Sequence, residues 1–202
     1  MNPASQTPWP GWSSQKTLVL PLSPDRWSPP TDAVEIDGLH FAPKRELHVT
    51  LVGRRIGQAL HAGLGERRVR SKAVREAFCA LDWRFTRTHE LHRLQKREQM
   101  GHGAGRCIGS IVELIEMPAL AVFYRTIGEL LGREVPVPPA HVTLYTAGRA
   151  KGVGVPDTAT LRRLSQRELS TVEVATASVP AHAASGRSRS RRDLHGGADA
   201  RA

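Results

Sequence analysis

Apolar and polar positions alternate in short runs over much of this chain, and proline- and glycine-rich stretches separate the runs. KTLVLPL (residues 16–22) reads as a first strand, and as an edge strand if Pro21 lies within it, because proline cannot donate to a ladder. VEIDGLHF (34–41) reads as a strand or hairpin element, and PKRELHVTLVG (43–53) as a strand closed by Gly53. GQALHAGLGERRVRSKAVREAFCAL (57–81) has helical spacing, with Gly63 and Gly65 able to divide it in two and with Val69, Ala73, Ala77 and Ala80 sharing one face. DWRFTRTHELHRL (82–94) and SIVELIEM (110–117) alternate like strands. In the second, Ile111, Glu113 and Ile115 oppose Val112, Leu114 and Glu116. PALAVFYRTIGELLG (118–132) is the clearest helix: Pro118 suits its first turn, Gly132 its end, and Leu120, Phe123, Ile127, Leu130 and Leu131 form one stripe. AHVTLYTAG (140–148) is a further strand, followed by a loop, a short helix near 159–164 and a last strand near 169–175.

The pattern predicts three segments. Residues 1–15 are Pro/Ser/Gly-rich and read as a flexible lead-in, residues 16–175 as the folded domain, and residues 176–202, small, polar and Arg-rich, as a disordered tail. Within the domain, strand, helix and strand occur in each half, and each half holds the tetrapeptide His-Val-Thr-Leu, at His48–Leu51 and at His141–Leu144. This is a duplication of architecture.

A His-x-Thr pattern is expected roughly 0.6 times by chance in this composition, but the full tetrapeptide only on the order of 0.005 times, so the pair carries information that neither copy has alone. Side chains alternate along a strand, so His48 and Thr50 share one face, His141 and Thr143 share another, and the Val and Leu of each motif point to a core. Each histidine stands about 6.6 Å along its strand from its threonine, roughly the span of a phosphate with its ester oxygens. If the two strands lie side by side, two imidazoles and two hydroxyls line one cleft. Imidazoles titrate near neutrality, so one can take a proton while the other gives one, and the hydroxyls can donate to phosphate oxygens. This chemistry suits phosphoryl transfer or phosphodiester hydrolysis without a metal.

Charge sharpens that reading. The formal net charge is +10, from 29 Lys and Arg against 19 Asp and Glu, a field that attracts phosphates or nucleic acid. The two cysteines, Cys79 and Cys107, give neither a disulfide framework nor a zinc spacing and are expected as reduced, buried thiols. With no apolar run near the roughly 18 residues of a membrane span and no leader pattern, the expectation is a soluble cytoplasmic protein.

At the two HVTL tetrapeptides, and in the order of elements from residue 16 to 175, the sequence resembles the 2H phosphoesterase superfamily. That family includes the 2′-5′ RNA ligase-like proteins, also described as RNA 2′,3′-cyclic phosphodiesterases. It is defined by two H-x-[ST]-x motifs with apolar x, one in each of two similar lobes. The resemblance implies an α+β fold in which two similar lobes of antiparallel sheet, with flanking helices, face a central groove. It implies that His48 and His141 are the catalytic acid and base, their assignment left open, and that Thr50 and Thr143 hold the phosphate. Substrates would be RNA ends or cyclic nucleotides, with no metal, no cofactor and no membrane partner, and the protein is expected to act as a monomer. The alternative is an RNA- or nucleotide-binding module that keeps the groove without turnover.

Other residues weigh less. Tyr145 alternates onto the face of His141 and Thr143 and is a candidate substrate contact, by stacking on a base or ribose. His89 and His92 have a metal-like spacing but lack acidic or cysteine partners in sequence, so both are expected to be solvent-exposed. QMGHGAGRCIG (99–109) reads as a mobile loop near the groove, without the lysine and hydroxyl of a P-loop. KGVGV (151–155) could bring Lys151 or backbone N–H groups to a phosphate.

Overall fold

The computed structural model describes residues 7–62, 67–98 and 105–179. The fold is mixed α+β, with every strand pairing antiparallel. In chain order the elements are β1 (Leu18–Pro21), β2 (Ala33–Ile36), β3 (Leu39–Pro43), β4 (His48–Val52), α1 (Arg54–Leu60), α2 (Arg67–Cys79), β5 (Thr86–Glu98), β6 (Arg106–Glu116), α3 (Pro118–Leu131), β7 (His141–Ala147), α4 (Thr158–Leu164), β8 (Ser165–Leu169), α5 (Thr171–Thr176) and β9 (Ser178–Val179).

The strands form one connected sheet in the order β8-β5-β6-β7-β3-β2-β9, with β4 also paired to β7 and β1 to β4. β7 is thus the hinge of the sheet. One of its edges belongs to β6; the other is shared by β4 at its start, through Val49 and Val142, and by β3 at its end, through Ala42 and Thr146. β1 pairs only with β4, so Pro21 sits on an edge strand as its missing N–H requires. The β2–β3 hairpin turns on Asp37 and Gly38, both with positive φ, the backbone that a two-residue hairpin of the primed type needs. Arg93 and Arg167 both reach the carboxylate of Asp37, which ties this hairpin to β5 and β8 from the other end of the strand order.

Helices α1, α2 and α3 pack on one face of the sheet. Leu60, Val74, Phe78, Phe123 and Ile127 join the strand residues Leu18, Val49, Ile111 and Val142 in the main core. Phe78 stacks on Trp83, whose indole N–H donates to the Phe78 carbonyl at 2.9 Å. A smaller cluster covers part of the opposite face: Leu94, Ile108 and Val112 from the sheet meet Val153, Val155 and Leu161 from the loop after β7 and from α4. α3 runs from Pro118 to a left-handed Gly132, as its sequence predicts.

Four expectations need correction. The lead-in is not loose over residues 7–15: Trp9 packs edge-on against Phe78 at 5.1 Å and Trp12 against His61 at 4.7 Å, because two indoles offer enough apolar area to hold the segment down. Residues 1–6 lie outside the described residues. On α2 the buried face is centred on Val74 and Phe78, while Val69 is exposed; the large side chains, not the alanines, set the orientation. The final strand is Ser165–Leu169, and the segment after it is helix α5, because Ser170 caps it by accepting the N–H of Glu173 at 3.0 Å. Ordered chain therefore continues past residue 175 into α5 and β9, and the Arg-rich remainder from residue 180 lies outside the described residues. Residues 99–104 of the glycine-rich stretch also lie outside them, while Arg106–Gly109 belong to β6. Cys79 and Cys107 are half-buried, and neither forms a disulfide. Among the described residues no helix is long and apolar enough to cross a membrane.

Candidate functional site

β4 and β7 hold the two HVTL copies, and they are neighbours. Val49 stands directly opposite Val142 in an antiparallel ladder. Antiparallel pairing continued one residue from there in each direction implies His48 opposite Thr143 and Thr50 opposite His141. All four side chains then share the face that Val49 and Val142 turn away from. Opposed side chains in such a pair lie about 4.5–5.5 Å apart at Cβ, and diagonal ones about 7–8 Å, which is the relation between the two histidines. Val49 and Val142 are buried in the main core, while His48, Thr50, His141 and Thr143 are half-buried on the other side.

The two copies share a further detail. In β4 the register against β1 passes from Thr50 opposite Val19 to Val52 opposite Leu18, leaving Leu51 as an extra residue. In β7 the register against β6 passes from Thr143 opposite Val112 to Tyr145 opposite Ile111, leaving Leu144 extra. Each motif thus ends in a β-bulge at its leucine. A bulge sets two residues against one and bends the strand. The motifs match in the position of the bulge, and they meet at equivalent valines.

The second bulge corrects the placement of Tyr145. Ile111 and Val112 face opposite sides of β6, so Tyr145 and Thr143 do too. Tyr145 is buried in the main core, where burial and the charge of Asp32 push its hydroxyl pKa up, and it is not on the histidine face. Thr146, opposite Ser110, takes the place expected for Tyr145.

Both imidazoles are held toward the neutral form. Burial lowers the His48 pKa most, the positive charges of Lys44 and His141 lower it further, and Glu46 opposes them. Burial also lowers His141, partly offset by a 2.8 Å hydrogen bond between its Nδ1 and the Pro139 carbonyl. A carbonyl only accepts, so Nδ1 carries the proton and Nε2 is left as the nitrogen of His141 able to take one up.

The loop after β7 forms a wall beside Thr143. Val153 N–H donates to the Ser110 hydroxyl at 2.8 Å, and Arg149 pairs with Glu98 at 2.7 Å. Gly152 sits so close that a Cβ there would stand 3.2 Å from Thr143 Cγ2 and 3.0 Å from Ser110 Oγ. Lys151 is exposed, and its amine donates to the Gln15 side chain at 3.0 Å. Lys44 lies on the other side of the loop, its amine 3.4 Å from the Ala150 carbonyl.

His89 and His92 lie on strand β5, not on a helix. His89 is exposed, as expected, but His92 is buried, with Nδ1 at 3.0 Å from Ser165 Oγ and Nε2 at 2.7 Å from Glu90. Glu90, His92 and Glu168 are close enough to share an ion, with ligand atoms within 4.8 Å of one another. Glu168 comes from β8, so only strand pairing reveals it. This group includes neither motif histidine. In comparisons with protein-family models, curated proteins and solved structures, the chain matches none of them.

Proposed function

We propose that this protein is a phosphodiesterase of the 2H type, working without a metal on 2′,3′-cyclic phosphates at RNA ends or on cyclic nucleotides. In this reading two lobes, one built around β4 and one around β7, are related by an approximate twofold axis passing between Val49 and Val142. The observation that carries it is the pairing of those valines, from which strand alternation sends both imidazoles and both hydroxyls toward one face.

The chemistry follows from that arrangement. Thr50 and Thr143 donate to the non-bridging oxygens of the phosphate. Water attacks the phosphorus in line with the 3′-oxygen. One histidine accepts the proton of the water, and the other donates a proton to the departing 3′-oxygen, so the P–O3′ bond breaks as the new P–O bond forms and a 2′-phosphate remains. A diagonal separation of about 7–8 Å leaves room for a phosphate between two opposed rings. Each proton transfer is worth about 10²–10⁴-fold in rate.

The test is incubation of the protein with 2′,3′-cyclic nucleotides and with cyclic-phosphate-ended RNA, with and without EDTA, and identification of the product isomer. A 2′-phosphate formed equally in both conditions is the expected result. Binding without turnover assigns the protein to the alternative, a nucleotide- or RNA-binding module. Loss of turnover in EDTA assigns it to metal-dependent chemistry.

A further inference from the structure

We infer that Lys44 is the anion-binding cation of the groove, a fifth member of the site beside His48, Thr50, His141 and Thr143; this rests on the reading of the groove as a phosphate site. Neither HVTL copy contains a lysine or arginine, and a protonated histidine that gives its proton to the leaving oxygen no longer matches the charge of the anionic product.

Three observations place Lys44 there. Its backbone N–H donates to the carbonyl of Leu144, the bulged residue of the second motif, at 2.8 Å, which pins the end of β3 next to Thr143. Pro43, the last residue of β3, pairs with the core-facing Tyr145, and Lys44, the next residue, is near enough to His48 for its charge to lower the His48 pKa. Its amine is 3.4 Å from the Ala150 carbonyl, which holds the long side chain against the loop that walls Thr143. Along one edge of β7, the Lys44 N–H therefore meets Leu144 two residues from the point where Val49 meets Val142. The side chain is half-buried and forms no ion pair with a carboxylate among the described residues, so its charge is available to a ligand. An ammonium at this place selects substrates by the charge of the phosphate, and it holds the phosphorylated product as well.

The experiment compares the full chain with Lys44→Met, Lys44→Arg and, as a control for the general positive field, Arg45→Met, with inorganic phosphate as the probe. Isothermal titration at low salt gives the affinity, and NMR of the imidazole resonances gives the His48 titration. In Lys44→Met, phosphate binding weakens about tenfold, as expected for loss of a charge-assisted contact, and the His48 midpoint rises. Lys44→Arg restores binding, and Arg45→Met changes neither readout. Unchanged phosphate affinity in Lys44→Met overturns the inference, as does an equal loss in Arg45→Met or a wild-type protein that binds no phosphate. Should Lys44→Met fold poorly by circular dichroism, Lys44→Gln serves in its place. Because the probe is phosphate and not a substrate, phosphate binding that depends on Lys44 in a protein with no turnover retains this inference and rejects only the phosphodiesterase reading.

Discussion

At the scale of single residues, the proposed activity rests on the two histidines and the space around them. His48→Ala and His141→Ala are each expected to lose at least about 10²-fold in turnover of a cyclic phosphate while the circular dichroism spectrum stays unchanged, since each removes one proton transfer. Retention of near-normal turnover by either variant would remove it from the chemistry. Both imidazole pKa values lie below the ordinary 6.5, so the state with one neutral and one protonated ring is reached on the acid side. The profile of kcat/KM against pH should therefore be bell-shaped with its maximum below about 6.5. A maximum in the alkaline range would contradict the arrangement. Gly152 offers a subtler probe, because a Cβ there would crowd Thr143 and Ser110 without touching a histidine. Gly152→Ala should raise KM about three- to tenfold, with kcat changed less, if Thr143 positions the phosphate. Steady-state kinetics separate the two.

At the scale of elements, local capping and local bulges do different work. Ser170 caps α5 through the N–H of Glu173, in a Ser-Thr-Val-Glu order that also puts an acid in the first turn. Ser170→Ala should cost about 1 kcal/mol in urea unfolding, and no measurable change would mean the helix draws its stability from elsewhere. The bulges at Leu51 and Leu144 shape the candidate site. Each falls between a threonine outside the main core and a following residue that joins it, Val52 in one copy and Tyr145 in the other. The signal for α5, an S-x-x-E capping box, was present in the sequence. The bulges left no such signal, because a leucine in a bulge and a leucine in a regular strand are the same leucine.

At the scale of the whole molecule, charge pairs and burial connect the sheet to its surroundings. Glu113 is buried opposite Val142, and Arg87 grips it with two hydrogen bonds of 2.9 and 2.7 Å while stacking on Trp27 at 4.1 Å. Arg87→Leu strands a buried carboxylate. The expected cost is roughly 2 kcal/mol, less than for a fully buried pair because Arg87 is itself partly exposed. Glu113→Gln combined with Arg87→Leu should recover part of that loss, and denaturant unfolding of the two variants checks this. Both motif histidines also link stability to pH. Their folded pKa values are depressed, so the unfolded chain binds more protons just below pH 6.5. Their contribution is fully present above that value and declines as pH falls toward the folded pKa values. Melting curves across pH 5–8 should show this slope flatten when either histidine is replaced by glutamine; an unaltered slope would assign it to other groups.

The sequence by itself determined the two HVTL motifs, the alternation that sends Val49 and Val142 inward, and helix α3 with its ends. All of these follow from side chains a few residues apart, where backbone periodicity is enough. Only the tertiary structure decided that β4 pairs with β7, that Tyr145 turns to the core, and that Lys44 comes beside Thr143 from 99 residues away in the chain. Register and bulges are set by packing and hydrogen bonding between distant segments. One residue of slip reverses every face, and no local pattern in the sequence carries that choice.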